Sequence, residues 1–473
     1  MQAARWIGYV LAALLTPMLV GGLRAKSFLT REEVPLVAAS FAPAPRPEPH
    51  DPSKPTVAIV LGADVTEITD MVGPYEMFAR TSRYNVYAVA PTAASTTLTG
   101  GLRVRPHYSF EALDGLLGGA PPAIVVAPNV PNISSAENRP VVDWVRRSAD
   151  AGATSFSWCA GAAVLAEAGL LDGRTATSHW GDLARLEKEY PEVEWQRGVR
   201  WVDHGSLLTS AGITSGIDAT LRLLIQREGE SVARQVAAEL HYANFHYALQ
   251  PAAAQYSPRI SDAVLFLNAA FQPMRHQIGF GLYEGVGELD VSTLYDAHAA
   301  AGVAEVHALA MQPGLVRTKH GLWLEPALIS QHNADAVAAL DRIIVPGRDA
   351  RREGQALARA VAAAGAQTPE YLHDEHAERF SLEPVLEDLA RTADVATATF
   401  ARRRLEYRSS TLHPTGNLVP FATLFAALVL SLMGALLFAS VAARHNFRGS
   451  ATTKPKLRTS RCARTRAALE PEL

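Results

Sequence analysis

The sequence predicts an α/β protein built on a doubly wound parallel sheet, with an apolar membrane-type segment near each end. Three observations predict it. Short apolar, β-rich runs alternate with helical stretches from Pro55 onward. One of these runs passes directly into Cys159-Ala160-Gly161 and then into a helix, the strand–turn–helix order of a nucleophile elbow. An uncharged run at 418–443 has the ~20 apolar residues that a helix needs to cross a bilayer.

Composition narrows the classes. The 473 residues leave room for two or three domains. Lys+Arg 44 against Asp+Glu 47 is nearly balanced, which argues against a whole-chain nucleic-acid footprint. Two cysteines, Cys159 and Cys462, exclude a disulfide scaffold and a cysteine-based zinc site. No metal-ligand constellation and no phosphate-binding glycine loop stands out, so neither metal nor cofactor is expected.

At the N-terminus, residues 1–25 carry Arg5 and an apolar run from Trp6 to Gly22, then Arg24 and Lys26. An uncleaved anchor is favoured over a cleaved signal peptide, because no small-residue cleavage site follows. Residues 26–54 hold Pro35, Pro43, Pro45, Pro47, Pro49 and Pro52, the composition of a stiff, extended spacer. A transmembrane helix is predicted over 417–443, followed by a basic tail, 444–473, with no acid before Glu470. Positive residues stay on the cytoplasmic side. The expected topology therefore has two membrane helices in the cell membrane, the main domains extracytoplasmic and the tail inside, where it could also meet anionic lipid.

Within 55–257, the predicted strands are Thr56–Leu61, Tyr84–Ala90, Ala123–Ala127 and Thr154–Trp158. Helices are predicted over 73–81, 110–117, 139–151 and 161–169. Ligands of such sheets sit beyond the strand C-termini. Cys159 lies at one of them, where the free N–H groups of the next helix favour a thiolate. A lone cysteine is more often an inert buried one. The residues around Cys159 reverse that expectation.

Residues 159–180, from Cys159 through Leu170-Leu171-Asp172-Gly173 to His179-Trp180, resemble the ThiJ/PfpI superfamily. The resemblance is to the branch holding isonitrile hydratase and the N-terminal domain of AraC-type regulators. Thr69–Phe78 and Thr209–Leu224 resemble the same branch, in the same order. It implies a flavodoxin-like fold, Cys159 as nucleophile and Asp70 as its acid partner, which would be protonated and donate to the sulfur. It also implies Ala160, Gly161, His179 and Gly73 as substrate-binding residues. A capping role for Asp70 and a structural role for His179 are the alternatives. Glu76 is expected to be structural, and Asp218 to cap the last helix of the domain. Isonitrile hydratases usually carry Thr after the cysteine and peptidase-like relatives carry His. Ala160 departs from both, so peptidase activity is not expected.

Residues 258–348 read as a degenerate second α/β copy. Gly287–Asp296 aligns with Glu67–Glu76, with Asp290 on Asp70, Tyr295 on Tyr75 and Asp296 on Glu76. Such a copy would cover the first domain or mimic a dimer partner, making an intramolecular pseudo-dimer the alternative to a homodimer. Residues 349–410 read as helices. Leu386–Arg404 faintly resembles one helix-turn-helix, but an amphipathic helix is the simpler reading. The expected function is a membrane-anchored cysteine lyase or hydrolase of a small electrophile. A tethered, non-catalytic small-molecule sensor is the alternative, and a cytoplasmic AraC-like regulator a third. No nucleic-acid partner is expected.

Overall fold

The computed structural model describes residues 2–29 and 49–450. The spacer prolines Pro35 to Pro47, Cys462 and the tail cations from Lys454 onward lie outside the described residues. The chain divides into two units, Arg24–Leu424 and the terminal segments Met1–Leu23 with Phe425–Leu473.

In the larger unit the predicted strands form one sheet. Strands β1 (Thr56–Val60), β2 (Asn85–Ala90), β3 (Tyr108–Ser109), β4 (Ile124–Ala127), β5 (Thr154–Ser157), β6 (Trp201–Asp203) and β7 (Leu207–Ser210) take the order β6-β7-β5-β4-β1-β2-β3. All pairings are parallel except β6 with β7. The apolar runs are buried along their whole length in β1, β4 and β5, as a sheet covered on both faces requires. One face packs on Met71, Phe78, Trp158, Ile217 and Leu221, the other on Val141, Trp144, Val164 and Leu165.

A second parallel sheet follows, from β8 (His276–Gly281), β9 (Ala304–Ala310), β10 (Leu328–Ile329) and β11 (Arg342–Ile344), in the order β10-β9-β8-β11. This is the order β3-β2-β1-β4 of the first sheet. In each, a two-stranded excursion lies between the second and third strands, at 96–98 with 103–105 and at 316–317 with 323–325.

The helices used below are α1 (Gln2–Leu29), α2 (Ile68–Arg80), α3 (Ala162–Glu167), α4 (Ile213–Glu228), α5 (Glu288–Leu294), α6 (Leu382–Thr392), α7 (Val395–Arg404) and α8 (Phe421–Ser450). Helix α2 starts five residues before the predicted Gly73, because Glu67 caps it and Gly73-Pro74 continues the helix. Helices α1 and α8 contain spans of 23 and 24 residues, Trp6–Phe28 and Phe421–Arg444, that are long and apolar enough to cross a membrane. Small residues mark their contact within the terminal unit: a side chain at Gly434 would collide with Thr16 and the Ala12 carbonyl, and Tyr9 meets Phe438 edge-to-face at 5.2 Å.

Asp218 is not a cap. It lies inside α4, fully buried, in an ion pair with Arg200 and accepting 2.8 Å from Tyr242 Oη. The sequence places it near a Gly, as a cap would be, but the partner comes from β6's approach at Arg200. Removing one side of a buried pair strands the other charge. Arg200→Met is therefore expected to cost about 3–5 kcal/mol, read from chemical denaturation of the full chain in detergent.

Candidate active site at the Cys159 elbow

The elbow is held from three sides. Trp158 N donates to Ala127 O at 3.0 Å, extending β5 by one residue beside β4. Its buried indole donates to Ile213 O at 2.8 Å. That ring fills the space where a Cβ on Gly73 or Gly216 would go, so both positions must be glycine. Cys159 then turns with φ +58°, a left-handed conformation that costs a non-glycine residue about 1–3 kcal/mol. Its N–H donates to Ser210 Oγ at 3.1 Å, and its carbonyl accepts from Ser178 Oγ at 3.2 Å. Gly161 admits no side chain, because the Ala127 and Pro128 carbonyls occupy the Cβ position. Helix α3 starts immediately after.

The acids converge from α2. Glu67 is its N-cap, and Glu67 Oε2 accepts from Asp70 N at 2.7 Å. Asp70 is fully buried, and Asp70 Oδ2 accepts from Asn129 N at 3.1 Å. Glu67 Oε1 and Asp70 Oδ1 are buried with no hydrogen-bond partner. From the second sheet's unit, Asp296 accepts from Thr69 Oγ1, and its other oxygen lies 3.4 Å from Arg404 Nη1.

These surroundings reverse the thiolate expectation. Burial pushes the Cys159 thiol well above the ordinary cysteine range, and the Asp70, Glu67 and Asp182 carboxyls push it further. The Ala160 N–H does favour thiolate, as the helix N-terminus predicted, but it is outweighed. Burial likewise raises Asp70 and Glu67, with Asp296 adding to both. Arg404 stays charged, because Asp296, Glu67 and Cys159 offset its burial.

The space beyond the strand C-termini at Cys159 is closed by the chain itself. Leu386–Arg404 is not one amphipathic helix: α6 and α7 break at Ala393, and Asp394 caps α7 by accepting from Thr397 N at 2.7 Å. Helix α7 buries Thr397, Ala398, Phe400, Ala401 and Arg403, and its C-terminus lies over the elbow. Arg404 O is 3.0 Å from His179 Nε2, and Leu405 O accepts from Thr214 N at 3.1 Å. Glu406, with φ +54°, accepts from Ser215 Oγ at 2.6 Å and packs on Gly212. Cys159 is left 5% exposed. A cavity of about 20 Å³ bordered by Ser178, Trp180 and Glu406 adjoins this cap.

Of the predicted residues, Cys159, Ala160, Asp70 and His179 gather at the elbow. Gly73 and Gly161 serve its packing instead. His179 is held by Arg404 O and by Asp182 at 3.3 Å, the structural alternative. Glu67, Asp296, Arg404 and Glu406 were missed. Glu67 carried a local signal, an acid three residues before Asp70 where a cap stands; the others come from distant segments. Among the described residues, Glu76, Glu288 and His320 bring ligand-type atoms within 4.8 Å of one another, but each already holds protein partners, Arg80 and Leu289 N for Glu76, Thr318 and His320 for Glu288.

Residues 55–226 match the family described as the DJ-1/PfpI family. The chain is 31% identical to isonitrile hydratase of Pseudomonas putida over 177 residues, 37% of this chain and 73% of that protein. It is 41% identical over 96 residues to the HTH-type transcriptional regulator CdhR of Pseudomonas aeruginosa, 20% of this chain and 28% of the regulator. Among solved structures, a ThiJ/PfpI family protein from Pseudomonas syringae matches at 23% identity and TM-score 0.36, over 40% of this chain and 76% of that one. Iodoacetamide should alkylate Cys159 slowly at pH 7, and its rate should climb only above the ~8.5 of a free cysteine. Glu406→Ala, which frees the cap, should raise the rate at every pH. A midpoint at or below 8.5 in the parent chain would contradict the burial-dominated balance.

Proposed function

The chain belongs to the DJ-1/PfpI family, and from that premise we propose that residues 55–257 carry a cysteine site for a small electrophile, tethered to the membrane by α1 and α8. The observation that carries this reading is the left-handed Cys159, held in strain directly beside a buried carboxyl. Strain of that kind persists where the surrounding packing over-determines it, and it clusters at working sites. In this reading Asp70 is protonated and relays: Cys159 Sγ bonds to the electrophilic carbon as the Asp70 carboxyl gives its proton to the substrate and takes the thiol's, and water then displaces the sulfur and restores the thiol. The substrate class is a small electrophile such as an isonitrile or a reactive carbonyl, and the reaction is a hydration or hydrolysis. Ala160 supplies no side-chain hydroxyl or imidazole next to the sulfur, which supports neither a peptidase nor a water-orienting threonine.

A second reading has its own observation. The cap at Arg404–Glu406 and the raised thiol favour a module that binds a small molecule without turning it over, as a sensor would. The buried face of α7 gives no support to nucleic-acid reading by this segment. The proposed topology keeps the main domains extracytoplasmic, with the basic tail as the cytoplasmic end.

The two readings part on one variant pair. With an alkyl isonitrile as probe, Cys159→Ser is expected to lower formamide production by at least about 100-fold, and Asp70→Asn by a similar factor. Binding of the probe without turnover in the parent chain, unchanged in Cys159→Ser, would replace the enzyme reading with the sensor. Protease added outside spheroplasts should cut between 49 and 416 and spare the tail; protection of that stretch would overturn the topology.

A further inference from the structure

Within Arg24–Leu424 two α/β units, a first built on the sheet β1–β7 and a second on the sheet β8–β11, touch each other reciprocally. Thr69 and Leu289 are the second residues of α2 and α5. Glu76, from the first unit, accepts from Leu289 N at 2.7 Å. Asp296, which aligns with Glu76, accepts from Thr69 Oγ1. Tyr75 Oη donates to His320 O at 2.9 Å, and the aligned Tyr295 lies against Gly100, which aligns with His320. The excursions meet edge to edge. Val104 pairs with Leu324, to which it aligns, while Arg103 pairs with Glu325 and Arg105 with Trp323. Each residue thus meets the equivalent of its own partner's position, and the register is symmetric about Val104–Leu324. That is the signature of an isologous, twofold contact.

A twofold contact should place equivalent groups at equivalent sites. The two ends differ in what they reach. Glu76 ends in an ion pair with Arg80, away from any cysteine, since the second unit has none. Asp296 ends at the first turn of α2, between Thr69, Glu67 and Arg404.

We infer that residues 276–345 stand in for a twofold-related partner of the first unit, and that Asp296 is the positioning residue this built-in partner delivers to the Cys159 site. Asp296 holds Arg404 and restrains Glu67, and through them sets the charge that the sulfur faces. The groups facing the sulfur region are Glu67 and Asp70 from α2, His179 and Asp182 from the loop after the elbow helix, and Arg404 and Glu406 from the end of α7. Asp296 is the member that belongs to the second unit. The inference rests on Cys159 being the working thiol, but its test reads the thiol directly and needs no turnover.

The test is the pH profile of Cys159 alkylation in the full chain in detergent. Asp296→Asn leaves Arg404 uncompensated, so the profile should move to lower pH by about one unit. Glu76→Gln disturbs the same helix contact from the other side of the twofold and should leave the profile in place. A profile unmoved by Asp296→Asn, an equal shift from Glu76→Gln, or a change in rate by one factor at every pH would each overturn the inference. If Asp296→Asn does not fold, Arg404→Gln serves: with Asp296 then uncompensated, the profile should move to higher pH, and no movement would overturn it. Loss of isonitrile turnover everywhere, with these shifts intact, would sink the enzyme reading and leave this one standing.

Discussion

The site depends on where one indole sits. Trp158 is the last residue before the elbow, and its ring is pinned by a hydrogen bond to Ile213 O at the head of α4 and sandwiched where Gly73 and Gly216 lack side chains. This ties three elements to one another: β5, the α2 helix that carries Asp70, and α4 that carries Thr214 and Ser215. With the ring fixed, the chain leaves the strand by the left-handed turn at Cys159. Close packing transmits such constraints because interiors leave few voids in which a ring could shift. The position of the sulfur therefore rests on the packing of the preceding indole as well as on the Ser210 and Ser178 hydrogen bonds to Cys159 itself.

The chemistry of the sulfur is decided by competition. A helix N-terminus favours negative charge, typically by 0.3–1 kcal/mol at an exposed site, roughly up to 2 in partly buried ones. Burial of an ion without a matched partner costs more than that. At Cys159 both act, and burial wins with three carboxyls on its side. The elbow geometry alone would give the opposite sign. What differs here is the lid, because Arg404, Leu405 and Glu406 remove the solvent that an open elbow would offer. Local geometry sets the position of the sulfur, while a segment from near the second apolar helix governs its protonation.

What was legible in the sequence follows the same division. Four of the five main-sheet strands in 55–157 were readable within a residue or two from their buried runs, and the two-residue edge strand Tyr108–Ser109 was not. The elbow was readable because strand, Cys-Ala-Gly and helix are contiguous. The start of α2 was misplaced, since Gly73-Pro74 looks like a boundary and is not one when the capping residue stands six positions earlier at Glu67. Asp218 looked like a cap because its partners, Arg200 and Tyr242, lie in other elements. The closure of the cleft was not legible at all. Nothing local in Arg404-Leu405-Glu406 announces that two backbone carbonyls and a carboxylate will meet His179, Thr214 and Ser215.

The second unit makes sense of that asymmetry. A homodimer must place the same residue at both ends of its twofold, so any group that tunes one site is duplicated at the other. A chain that holds both halves is free of this restriction. Here the aligned positions have parted: Glu76 is neutralised by its own Arg80, whereas Asp296 is neutralised by Arg404 from the cap. Only the first half carries an elbow cysteine, and one lid closes on it. The cap's charge is thereby tied to a residue of the built-in partner: displacing Arg404 leaves the Asp296 carboxylate buried at the unit boundary without its ion pair.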